Sequence, residues 1–244
     1  MTDDAKGFTD ASWSSHVQGL IQFAQRSTIG SLGKEPVAER SQKLVRKIES
    51  FADSDILRVL EPIQALPPEQ RATFTPQCTA GCCHCCYQWV RCTVPEALHA
   101  FDAVKASRSE EEIASLKTHL EQYAAELTAN TGRAPQIACP LLAEGMCSIY
   151  ENRPLVCRGT ASLDVEKCAA GRLDPEHVQV PYVMPMMFLA GALKQGLQLG
   201  VREVGLADYE VVLGLALLVL LNVPDAPERY FAGEDVFAPA RAPN

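Results

Sequence analysis

Apolar residues recur at spacings of three and four along most of the chain, the pattern of helices with one face turned inward. Val17, Leu20, Ile21 and Ala24 mark a first helix. Val37, Leu44, Val45, Ile48 and Phe51 mark a second, after Pro36, a residue favoured in a first turn. A third carries Ile56, Leu57, Leu60 and Ile63, with Asp53 or Ser54 as its N-cap and Pro67 and Pro68 as its stop. Ser109 and Glu112 form an S-x-x-E capping box before Ile113, Leu116, Leu120, Tyr123 and Leu127, and Thr131 and Gly132 close that helix.

Two more helices are expected near the end. One runs from about residue 183 to 204 with Pro185 in its first turns; the other runs from about 206 to 221 with Asp208 near its start. The second is apolar on nearly every face and should be packed on several sides. After Pro224 the chain is Pro-rich and reads as a loose arm over the surface. Alternating apolar and polar residues are nowhere sustained enough to build a sheet. The expected fold is mainly α, with irregular cysteine-rich loops that wrap a metal or iron-sulfur centre.

Composition limits what such a chain does. Its 244 residues, 47% hydrophobic, supply a core without help from disulfides. A formal charge of -8 argues against a nucleic-acid partner, because that affinity comes largely from neutralised phosphates. The run Glu110, Glu111, Glu112 reads as a solvated helix start. The longest near-apolar run, residues 211–223, is 13 residues, whereas a membrane span needs about 20. The opening MTDDAKGFTD lacks a basic and apolar leader, so a cytoplasmic location is expected. No protein partner is indicated.

All ten cysteines lie between Cys78 and Cys168. They divide the chain into an N-terminal helical segment (1–70), a cysteine-cluster segment (71–175), apolar helices (176–224) and a Pro-rich tail (225–244), expected to form one compact domain. In a reducing compartment, clustered cysteines are first metal ligands and second redox groups. The first group is Cys78-x3-Cys82-Cys83-x-Cys85-Cys86, with Cys92 beyond; the second comprises Cys139, Cys147, Cys157 and Cys168. Neighbouring Pro76, Gly81, Pro140, Gly145 and Pro154 place both groups in loops or turns. Spacers of two or three residues let Cys82 and Cys85, or Cys78 and Cys82, reach one ion. The adjacent Cys85 and Cys86 diverge, which points to two centres or one multinuclear centre, completed by the second group.

The ordered blocks C-x3-C-x2-CC and CPLL-x4-C-x-IY-x2-RPL-x-CR resemble the YkgJ-type cysteine-cluster family, described as a zinc- or iron-chelating domain. The resemblance covers about residues 78–170. It implies Cys78, Cys82, Cys85, Cys86, Cys139, Cys147 and Cys157 as ligands, with Cys168 as an eighth. Cys83 stands where the family usually has glycine, which leaves Cys83 and Cys92 as non-ligands, with either able to substitute for Cys168. Glu96 falls where the family often has a T-x-x-E element.

Around these blocks, Arg153 and Arg158 flank Cys157 and are candidates to offset the negative charge of a thiolate-bound metal. His84 occupies a spacer position and reads as a non-ligand, as do His16, His99, His119 and His177. Met184, Met186 and Met187 read as core filler. The expected ligand is therefore zinc or iron, as an ion or an iron-sulfur cluster. An iron-sulfur enzyme, including S-adenosylmethionine-linked methyl transfer, and a dithiol redox protein are the alternatives; C-x3-C-x2-C has the spacing of the former, without its alternating β and α units.

Overall fold

The computed structural model describes residues 10–33, 37–129 and 137–243. Most of them are helical. α1 (Asp10–Leu32) lies along α8 (Met184–Glu203), whose Leu189, Leu193 and Leu197 are fully buried. A β-carbon at Gly196 would stand 2.3 Å from the Ile21 carbonyl oxygen and 2.7 Å from the Ala24 β-carbon. The two helices therefore approach as closely as backbone allows, and any larger residue at 196 would push them apart. α8 runs from Met184 with Pro185 in its first turn, as the sequence leads one to expect.

The second and third expected helices are one. α2 (Ala38–Gln64) continues through Asp53 and Ser54, keeping Leu44, Val45, Ile48, Ala52, Ile56 and Val59 buried on a single stripe. Neither polar residue acts as a cap. The Ser54 hydroxyl donates back to the Ser50 carbonyl at 2.9 Å, and Asp53 pairs with Arg158. Pro62 sits in the last turn. Leu57, expected inside, is 67% exposed, and Phe51 lies at the surface stacked on Phe23 at 4.4 Å. Pro36, Thr131 and Gly132 lie outside the described residues.

α3 (Pro68–Phe74) follows with proline in its first turn. β1 (Arg91–Thr93) leads directly into α4 (Val94–Ser107), and α5 (Glu110–Ala129) opens on the expected Ser109 and Glu112 box. There the Ser109 N-H donates to Glu112 Oε2 at 2.8 Å and the Glu112 N-H to Ser109 Oγ at 3.2 Å. No pattern in the sequence marked α4, because its buried residues run almost unbroken from Val94 to Phe101 instead of recurring every third or fourth position.

The expected helix over 206–221 begins later. Residues Glu210–Val212 form β4, antiparallel to β1 with Cys92 opposite Val211, and α9 (Leu213–Asn222) starts after it. β-branched Val211 and Val212 suit the ladder, and a short apolar run cannot show from sequence alone where strand gives way to helix. Asp208 caps nothing and pairs with Arg202. The Pro-rich end is not a loose arm. α10 (Ala226–Phe231) and the residues after it bury Tyr230 and Phe237 edge to face at 5.8 Å, and Arg241 bridges to Val211. Burial of these two rings, at about 1.5–3 kcal/mol each, holds the segment against the core, and its prolines restrict the backbone instead of loosening it. Met186 is buried, but Met184 and Met187 are exposed, so only one of the three fills core. Among the described residues, no helix is long and apolar enough to cross a membrane.

Candidate metal centre

The first cysteine group follows α3. Cys82 closes a turn onto the Thr79 carbonyl at 3.0 Å, and His84–Tyr87 form one 3-10 turn. The Cys85 and Cys86 thiols do not diverge as expected of adjacent residues: they are hydrogen-bonded to each other and line one cavity. Two backbone hydrogen bonds tie the group to distant chain: Cys139 N-H to the Cys86 carbonyl at 2.7 Å, and Gln77 N-H to the Ser162 carbonyl at 2.8 Å. The Ser162 N-H donates to Cys78 Sγ at 3.3 Å.

The second group is more regular than the sequence led us to expect. β2 (Leu142–Ala143) and β3 (Met146–Cys147) form a hairpin whose turn holds Glu144 at φ 50° and Gly145 at φ 78°. The hairpin sets Cys147 opposite Leu142, near Cys139. Cys157 lies on α6 (Leu155–Gly159) and Cys168 on α7 (Val165–Leu173), in helices where loops were expected. Gly159 lets α6 touch α8: a β-carbon there would stand 2.5 Å from that of Ala190. Asp164 caps α7 by accepting from the Lys167 N-H at 2.9 Å.

Glu96 links β1, α4 and α6. It is almost fully buried; Oε2 accepts from the Thr93 N-H and hydroxyl at 2.8 Å each, and Oε1 from the Leu155 N-H at 2.8 Å. One carboxylate thus satisfies donors at the starts of two helices, including the helix that carries Cys157. Burial pushes its pKa above the ordinary carboxylate value, and these hydrogen bonds pull it back.

The cysteines line two adjoining cavities. The smaller, about 280 Å³, is lined by Cys82, Cys85, Cys86, Cys139, Cys147 and Cys157. The larger, about 580 Å³, is lined by Cys78, Cys82, Cys85 and Cys168, together with His84. Cys82 and Cys85 face both. Cys83 lines neither, and Cys92 is enclosed in the ladder between β1 and β4. All ten cysteines are free thiols.

Burial pushes the thiols of Cys78, Cys147, Cys157 and Cys168 upward, and that of Cys139 up to about 11. Cys85 is raised first by its hydrogen bond with Cys86 and then by burial. Charge on Cys85 is felt by Cys78, Cys139, Cys147, Cys157 and Cys168, which makes it the common neighbour of both cavities. Without a cation these groups favour the neutral thiol. Arg153 opposes that trend at Cys85, Cys147 and Cys157; it lines the smaller cavity, with its guanidinium 3.6 Å from the centre of the Tyr150 ring.

Arg158 is placed differently. Its guanidinium donates to Glu49 at 3.1 Å, to Asp53, and to the Glu151 and Arg153 carbonyls, with His99 3.4 Å from the same Glu49 oxygen. It joins α6 to α2. Glu49 and Asp53 have no sequence signature for this role, since an acidic residue on a helix ordinarily faces solvent.

The donor set fits a thiophilic metal by chemistry and by its convergence on shared cavities. Among the described residues, however, no three His, Cys, Asp or Glu side chains are gathered into a ready coordination shell.

Residues 77–174 match the family model CxxCxxCC, described as "Putative zinc- or iron-chelating domain". A domain of this type is therefore present over that stretch, which is less than half the chain and contains all ten cysteines. No curated protein and no solved structure is similar enough to the chain to count as a match.

Proposed function

From the chelating-type domain at residues 77–174 we propose that this protein binds zinc or iron through Cys78, Cys82, Cys85, Cys86, Cys139, Cys147, Cys157 and Cys168. The observation that carries the reading is the cavity pair: each of these eight cysteines lines one cavity or the other, whereas Cys83 and Cys92 line neither. Cys85, open to both, is the natural shared ligand if two ions or a cluster are held. A bound metal would supply the positive charge that turns raised thiols into thiolates, so uptake releases protons and is coupled to drawing the loops together. Arg153, in the wall of the smaller cavity, would offset the remaining negative charge. Arg158 would act on the centre only through α6, by anchoring the helix of Cys157 to α2.

The raised thiols favour chelation over dithiol redox chemistry, which depends on a cysteine whose pKa is depressed. An iron-sulfur cluster uses the same ligands and stands as the iron form of this reading. The test is a cobalt(II) titration of the reduced, metal-free chain in the absence of oxygen. Thiolate-to-cobalt charge-transfer absorption that saturates, and that zinc(II) displaces, is expected. No such absorption at several equivalents of cobalt would overturn the proposal.

A further inference from the structure

The larger cavity has a second wall that metal binding does not use. Its charged lining residues are Arg91 and Arg172, with no aspartate or glutamate, in a chain that has 30 acidic and 22 basic residues. Arg91 is spent on Glu210 at 2.9 Å. Arg172 has no carboxylate within ion-pair distance among the described residues; its guanidinium is stacked 3.4 Å from the centre of the Tyr87 ring. Stacking holds the plane of an arginine and leaves its N-H edge free to bind a planar anion in two places. Trp89 and His84 also line the cavity, and each has a buried ring nitrogen without a hydrogen-bond partner among the described residues. Apolar Pro175, Val178 and Val180 line it as well.

We propose that this cavity binds a small organic carboxylate with an apolar body, its carboxylate on Arg172, its body against Val178 and Val180, beside the wall formed by Cys78, Cys82, Cys85 and Cys168. The site is distinct from metal ligation, although a ligand held there would lie next to the metal. An isolated cation in an otherwise donor-rich pocket selects for charge, and the apolar wall excludes small inorganic anions as the best fit.

The probe is phenylacetate, with phenylacetamide as its neutral isostere, read by Trp89 fluorescence in a Trp13→Phe background, since the chain has two tryptophans. Metal content is measured on the same samples, loaded and metal-free. Phenylacetate should change the fluorescence saturably and bind about tenfold more tightly than the amide, the margin of a charge-assisted pair. Arg172→Gln should remove that preference while metal content and melting temperature stay unchanged, and Val180→Phe, which fills the apolar wall without adding a tryptophan, should weaken both probes. Equal binding of acid and amide to the parent chain, or no saturable binding, would overturn the proposal whatever the variants do. So would an Arg172→Gln chain that loses metal yet keeps its preference for the acid, which would make Arg172 a charge balance for the thiolates. Failure of metal binding alone would instead count against the chelation reading.

Discussion

Glu96 does the work of three interactions with one side chain, and its loss should show it. Glu96→Ala leaves the Thr93 and Leu155 N-H groups without partners in a buried place. Urea unfolding should report a loss of about 2–4 kcal/mol, the cost of orphaning more than one buried donor. Among the cysteines, Cys85→Ser and Cys86→Ser should each lower bound metal, while Cys83→Ser should keep most of it; metal analysis of the purified variants distinguishes them. The reverse order would assign Cys83 a place that neither cavity gives it. At this scale the sequence was informative about chemistry and silent about partners. The spacing Cys78-x3-Cys82-x2-Cys85-Cys86 is legible as chelating chemistry, but the divergence expected of its last pair is not found, because those two thiols meet at one cavity. Nothing in the spacing shows that Arg158 turns to Glu49, because an ion pair spanning more than a hundred positions leaves no local trace.

One short element decides how Cys157 is held. α6 is only five residues, too short to be stable alone, and is fixed by Glu96 at its start, Gly159 against α8, and Arg158 against α2. Arg158→Met should destabilise the fold by about 3–5 kcal/mol, because it strands the buried Glu49 charge, and the added Glu49→Leu should restore much of the loss. A thermodynamic cycle from urea melts measures both. Gly159→Ala should loosen α6 and lower metal retention even where the melt changes little, because a β-carbon would collide with Ala190 and the Met186 carbonyl. Element boundaries were the least legible part of the sequence. A polar Asp53–Ser54 pair reads as a cap, yet it sits mid-helix with its hydrogen bonds made elsewhere. The run Val211–Val223 was expected to be helix, but pairing with Cys92 makes its first residues a strand. Both errors have one cause: long-range contacts outweigh local preference by more than the few tenths of a kcal/mol per residue that propensity supplies.

For the whole molecule, the mainly helical class and the cysteine-rich middle were legible because periodicity and spacing are local. The packed C-terminal end was not, since its prolines signal turns and only Tyr230 and Phe237 hint at burial. The core also makes a prediction about alkali. Burial raises Cys92, Tyr123 and Tyr230 above their ordinary values of 9.0, 10.0 and 10.0. The native chain therefore holds protons that the unfolded chain gives up. Stability should be constant with respect to these groups below about pH 9 and fall as pH rises through 9 to 10 and beyond. Thermal melts of the metal-free protein across that range measure the slope; a melting temperature that rises there would contradict the burial of these groups.

The central claim is that the clustered thiols hold zinc or iron. Its most direct measurement is purification without oxygen, followed by metal and acid-labile sulfide analysis and an absorption spectrum of the same sample. Zinc or iron is expected in a fixed ratio to the chain, colourless with zinc and brown with sulfide if a cluster is held, and lost in the Cys85→Ser variant. A chain that is isolated without metal, takes up none when reconstituted, and has its cysteines paired in disulfides would contradict it.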